Sequence, residues 1–132
     1  MATLEGTLTS GVKYARGTGV VGATKSFTYS GTTNNVSLSH VSIKLDFVPK
    51  TINVYYTTGT TFEGFSIYNN DGLKYEKANV KVGRTNSSST SQTTYNVKAN
   101  SVVVVGDNTY HIPIHQSTSE NITWEAYGYP PN

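Results

Sequence analysis

The run Leu45-Asp46-Phe47-Val48-Pro49-Lys50-Thr51-Ile52-Asn53-Val54-Tyr55-Tyr56 constrains the fold more than any other part of the chain. Apolar residues alternate with polar ones on both sides of Pro49, and a period of two marks a half-buried strand. Proline brings no N–H to a sheet ladder, so Val48-Pro49-Lys50 reads as a connection or an edge between two strands. Upstream, Val41, Ile43, Leu45 and Phe47 share a face; downstream, Ile52, Val54 and Tyr56 do. Val36, Leu38 and His40 hold the parity opposite to Val41. A one-residue slip of this kind predicts a bulge or a kink.

The same grammar extends along the chain. Phe27 and Tyr29 start a short strand that Gly31-Thr32-Thr33-Asn34-Asn35 ends, and Phe65 and Ile67 carry another. Asn69-Asn70-Asp71-Gly72 is the strongest hairpin signal, because Asp-Gly accepts the positive φ of tight turns. It leads to Leu73 and Tyr75, then to Val80 and Val82. Asn86-Ser87-Ser88-Ser89-Thr90-Ser91-Gln92 has no apolar residue and reads as an exposed loop. Val102-Val103-Val104-Val105 is apolar without alternation, as in a strand covered on both faces. Tyr110, Ile112 and Ile114 follow. A last strand sets Ile122, Trp124 and Ala126 against Thr123, Glu125 and Tyr127. These elements predict an all-β fold, an antiparallel β-sandwich or jelly roll of about eight or more short strands. It forms a single domain over residues 1–132, with residues 1–22 either an N-terminal arm or an edge strand.

Composition agrees with this class. Only 36% of the 132 residues are hydrophobic and 14% charged, yet there are 10 Tyr, 4 Phe and 1 Trp. Aromatic and β-branched residues suit a pleated, half-buried surface. Lys and Arg occur singly and the net charge is +2, which leaves no basic footprint for nucleic acid. Cysteine is absent, so disulfides and thiolate metal sites are excluded. No apolar stretch approaches the roughly 20 residues that span a bilayer, and the N-terminus lacks a signal-peptide pattern. The expectation is a soluble chain with no membrane and no nucleic-acid partner.

Catalytic signals are thin. His111 and His115 share a strand face, but at about 3.3 Å per residue they stand roughly 13 Å apart. That is too far for one zinc ion, whose nitrogen ligands lie about 2 Å away, so no metal is expected. Glu63 and Glu125 could face each other across strands as a glycosidase pair would, but a chain with eight acids offers such coincidences freely. No Gly-x-Ser-x-Gly elbow occurs. The reading is of a chain that is not an enzyme and takes no cofactor.

The tyrosines carry more. Tyr56 and Tyr75 fall on apolar parities and read as core. Tyr55, Tyr68 and Tyr127 fall on the opposite, solvent-side parity, and Tyr129 lies in the Pro-rich tail. An exposed tyrosine offers a flat apolar ring and a hydroxyl, which suits a protein interface or sugar stacking. These four are the candidate contact residues.

Two segments resemble small structural proteins of tailed bacteriophages that infect Gram-positive bacteria. Leu45-Asp46-Phe47-Val48-Pro49-Lys50-Thr51-Ile52-Asn53-Val54-Tyr55 is similar to the Phe-x-Pro-Lys hairpin of tail, baseplate and head-fibre modules. Ile122-Thr123-Trp124-Glu125-Ala126-Tyr127-Gly128 resembles their tryptophan-bearing closing strand. The chain departs from that pattern at Asp46, where glycine is expected, and over its first 40 residues. The resemblance implies a β-sandwich that works by assembly, with itself as a homo-oligomer or with other phage structural proteins. Its place would be the virion, or the host cytoplasm before assembly. The alternative is a carbohydrate-binding module that takes bacterial cell-surface glycan through its exposed tyrosines.

Overall fold

The computed structural model describes residues 3–8, 11–29, 32–57, 63–69, 77–85, 90–104, 108–114 and 120–128. Alternation becomes extended chain almost throughout. The strands are β1 (Thr3–Thr7), β2 (Lys13–Gly19), β3 (Val21–Thr28), β4 (Asn35–Lys44), β5 (Pro49–Thr57) and β6 (Glu63–Asn69). They continue as β7 (Lys77–Thr85), β8 (Thr90–Lys98), β9 (Val103–Val104), β10 (Thr109–Pro113) and β11 (Glu120–Gly128). A seven-stranded sheet has the order β1-β2-β11-β5-β6-β7-β8, and a four-stranded sheet has the order β3-β4-β10-β9. Neighbours are antiparallel in both, and the fold is all-β with the two sheets arranged as a sandwich. The N-terminal segment supplies the edge strand β1 and its partner β2.

The core lies between the sheets. Ala15, Ile52, Val54, Tyr56, Tyr68, Val80, Trp124 and Ala126 come from the larger sheet, and Phe27, Val41, Ile43, Tyr110 and Ile112 from the smaller. One buried hydrogen bond ties the layers directly: the Ser66 hydroxyl on β6 donates to the Pro113 carbonyl on β10 at 2.6 Å. Tyr56 places its own hydroxyl 3.2 Å from Ser66 Oγ. Ser66→Ala leaves the Pro113 carbonyl without this donor, and should lower stability by about 1–3 kcal/mol in a urea titration.

The Leu45–Tyr56 segment is not a hairpin. Lys44 ends β4 in the small sheet, Leu45 to Val48 cross the sandwich, and Pro49 starts β5 in the large one. Pro49 takes the first strand position, where its missing N–H matters least. The parity slip after His40 coincides with a bulge carried by the neighbouring strand. Gly22 pairs with His40 and Lys25 with Leu38, so Ala23 and Thr24 face Ser39 alone. Val36 and Leu38 before the slip, and Val41 and Ile43 after it, thereby all reach the core.

Three local expectations are corrected. Thr90, Ser91 and Gln92 belong to β8 rather than a loop, paired with Arg84 and its neighbours on the sheet's edge. An edge strand needs backbone pairing on one side and little burial, so polar residues suffice there. The valine run divides: Val102 ends a single helical turn, Ala99–Val102, Val103 and Val104 form a strand, and Val105 lies outside the described residues. Val102 and Val103 are buried, which is what the unbroken apolar run signalled, but burial alone does not separate strand from helical turn. The turn is held where the Ser101 hydroxyl accepts the Thr28 N–H at 3.0 Å. In β6 the inner face is Gly64, Ser66 and Tyr68, and Phe65 and Ile67 lie outward, the reverse of the expected phase. Asn70, Leu73, Tyr75 and the Asp71-Gly72 turn lie outside the described residues, although the strands they join, β6 and β7, pair antiparallel.

Candidate functional site

The outward face of the seven-stranded sheet is built in cross-strand rows. Thr18, Thr123, Tyr55, Phe65 and Gly83 form one row. Leu4, Arg16, Glu125, Asn53, Ile67 and Lys81 form the next. Gly6, Tyr14, Tyr127 and Thr51 begin a third. Side chains of one parity share a face, so these rows make a single continuous surface.

Glycines keep its rings flat. A methyl group on Gly83 would run into the Phe65 ring, and one on Gly6 would lie 2.7 Å from the Tyr14 hydroxyl. Each ring therefore lies across a neighbouring strand instead of standing up from its own, the arrangement by which aromatics cover sheet glycines. Tyr55 stands between two open depressions of about 510 Å³ each. The first is lined by Tyr55, Thr57, Phe65, Ile67, Asn121 and Thr123. The second runs toward β1 over Leu4, Arg16, Thr18 and Glu125.

Polar groups fringe both. β11 carries an extra residue between its Glu120 and Thr123 pairings with β5, and Asn121 there adopts φ 51°. Asparagine tolerates this left-handed conformation better than other non-glycine residues. The bulge turns Asn121 so that its Nδ2 donates to Thr57 Oγ1 at 3.4 Å, at the rim of the first depression. Asn53 Nδ2 donates to Glu125 Oε1 at 3.4 Å below Tyr55. Partial burial raises the Tyr55 phenol above its ordinary pKa, and the Glu125 carboxylate and Tyr127 add to the rise. Its hydroxyl therefore stays a donor through the neutral range.

Of the four sequence-nominated tyrosines, this face holds two. Tyr55 is 48% exposed, and Tyr127 is half-buried two rows away. Tyr68 is corrected: it is 2% exposed, packed in the core with its ring 5.9 Å from that of Tyr110. Both parities of β6 carry apolar side chains, so alternation alone set no phase. The Tyr56 ring over Gly64 and the Ser66 bond to Pro113 put Tyr68 inside. Tyr129 lies outside the described residues. Phe65, Ile67 and Asn121 were missed, since only the pairing register brings them beside Tyr55, and so was Tyr14, which it brings beside Tyr127.

The proposed acidic pair does not face itself. Glu125 is level with Asn53 and Ile67, whereas Glu63 is level with Thr57, four residues further along and two strands away. Strand spacing then sets their backbones roughly 16 Å apart, so the two are not cross-strand neighbours.

On the opposite sheet His40 and His111 meet edge to face, with ring centroids 5.1 Å apart. Ser42 Oγ lies 3.0 Å from His111 Nδ1. His40 is buried over Gly22 and its Nδ1 has no partner. His115 lies outside the described residues, and among those described no three His, Asp or Glu side chains gather as a ligand set. Burial lowers the His40 pKa from 6.5, opposed by a hydrogen bond to the Ala23 backbone and assisted by Lys25. The unfolded chain therefore takes up this proton first, so the histidine's contribution is complete above about pH 6.5 and is lost as the pH falls. His40→Phe should flatten the fall in thermal midpoint between about pH 7 and 5.

Among the described residues no helix is long and apolar enough to cross a membrane. Comparison with family models, with curated proteins and with solved structures gives no match.

Proposed function

We propose that this chain is a non-enzymatic structural module of a tailed-phage virion, working through protein–protein assembly. The observation that supports it is where apolar surface is left uncovered. Leu4, Leu8 and Tyr55 are exposed on the outward face of one sheet, the two leucines at β1, which is its edge among the described residues, and Tyr55 three strands further in; Val20 and Val48 are exposed in the links between strands. Exposed leucines on a sheet's edge strand fit an interaction surface. The two phage-like segments also become direct neighbours: Trp124 pairs with Val54, Ala126 with Ile52 and Gly128 with Pro49, and Phe47 packs on Gly128. Light scattering across micromolar concentrations should return a multimer. A chain that stays monomeric up to about 0.1 mM would end this reading.

A second reading has its own observation. The exposed Tyr55 ring sits between two depressions fringed by Asn53, Asn121, Thr123 and Glu125, a mixture that suits stacking and hydrogen bonding to a saccharide. If so, a cell-wall glycan retained by the wild type should bind about tenfold more weakly to Tyr55→Ala, a change of roughly 1.4 kcal/mol. Equal retention by both proteins excludes Tyr55 as the platform.

A further inference from the structure

We propose that two copies of this chain join edge to edge through β1, antiparallel about a two-fold axis at Gly6, making their seven-stranded sheets continuous. This names the partner for the assembly reading above and rests on it.

The hydrogen-bond phase of β1 decides which groups are free. Leu8 N–H donates to the Val12 carbonyl at 2.8 Å, which extends the β1–β2 register by one pair. Backbone groups alternate sides along an antiparallel strand. Leu4, Gly6 and Leu8 therefore bond inward to β2, and Thr3, Glu5 and Thr7 direct their N–H and C=O groups outward. The edge they form has no proline and no lysine, and its one charge is Glu5, which stands opposite Ala15 on the inward parity. The far edge of the sheet is less open, because Val97 of β8 is bridged to Tyr29.

Opposed residues in an antiparallel pair must share a face, so a two-fold axis has to pass through a residue. Placed at Glu5, it sets that carboxylate against its own copy, a like-charge pair that destabilises. Placed at Gly6, it sets Glu5 against Thr7 of the second copy, and those two residues supply the outward backbone groups. Leu4 then meets Leu8 of the second copy, twice by symmetry, covering leucines that are 47% and 43% exposed in the single chain. Gly6 meets Gly6 at the axis, where close approach is easiest without a Cβ. The Tyr14 ring of each copy already lies over its own Gly6, so the junction is roofed by an apolar strip on the outward face.

The chain has no cysteine, so the register can be read by cross-linking. Non-hydrogen-bonded antiparallel pairs stand about 4.5 Å apart at Cα, inside the range of about 4.4–6.8 Å that disulfides span. Leu4→Cys and Leu8→Cys are prepared separately, oxidised alone and oxidised as a mixture. The mixture should give about tenfold more cross-linked dimer than either alone, because like positions lie roughly 13 Å apart along the strand. Thr7→Pro removes an outward N–H without touching the β1–β2 bonds, and should shift the scattering mass from twice 14.3 kDa toward the single chain. A multimer whose two cysteine variants cross-link no better mixed than alone overturns this interface and leaves the assembly reading standing. A wild type that remains monomeric at about 0.1 mM overturns both.

Discussion

Trp124→Ala is expected to lower the unfolding free energy by about 3–5 kcal/mol, a large share of the 5–15 kcal/mol typical of a domain. The indole is 3% exposed on the inward face of β11, flanked by β2 and β5. Its Nε1 donates to the Thr18 carbonyl at 3.3 Å, so truncation empties a large volume and removes a donor together. Both strands beside β11 come from distant parts of the chain, and collapse around the hole would have to move them jointly. Trp124 is the only tryptophan, so the variant must be followed by far-ultraviolet circular dichroism in guanidinium. Trp124→Phe should lose clearly less. A loss below about 1.5 kcal/mol for the alanine variant would mean that the indole is not buried as described.

Gly64→Ala should be the most damaging of the conservative changes, at about 3 kcal/mol, because overpacking a closed core displaces what surrounds it. The added methyl would enter the Tyr56 ring, which lies over Gly64 on the inward face. Tyr56 cannot move without disturbing its hydroxyl, which donates to the Phe65 carbonyl at 3.2 Å and lies beside Ser66. Ser66 in turn holds Pro113 of the other sheet. The measurement is a double-mutant cycle with Tyr56→Leu. Removing the ring's reach should recover a good part of the loss, giving a coupling of about 1–2 kcal/mol. Additive effects would show that the methyl is accommodated elsewhere.

These two residues mark the limits of what is legible in a linear chain. Trp124 announced itself: Ile122, Trp124 and Ala126 alternate with polar partners, so only one parity was available for burial. The same held for Ile52, Val54 and Tyr56, and for Tyr110, Ile112 and Ile114, all of which are core. Gly64 and Ser66 gave no such signal. Small and polar residues on the inward face of β6 made Phe65 and Ile67 look like its core side, and Tyr68 was assigned outward as a result. The candidate surface suffered the same ambiguity. Tyr55 was found because its own strand fixed its parity, but Phe65 joined it only through the β5–β6 register, and Asn121 and Tyr14 joined the face only through pairing between strands far apart in sequence.

Alternation every second residue was enough to determine an all-β class and, where only one parity is apolar, the buried face of a strand, because side-chain direction along a strand follows from backbone geometry alone. Which strands pair, and where the chain crosses between layers, was decided by tertiary structure. The Leu45–Tyr56 segment shows this: it leaves β4, crosses between the layers and becomes β5, so two strands consecutive in sequence lie in different sheets. Phase in a strand with apolar residues on both parities is likewise set by neighbours, through a ring needing a glycine beneath it and a hydroxyl needing a carbonyl opposite. Those contacts depend on positions in space, to which a local pattern carries no reference.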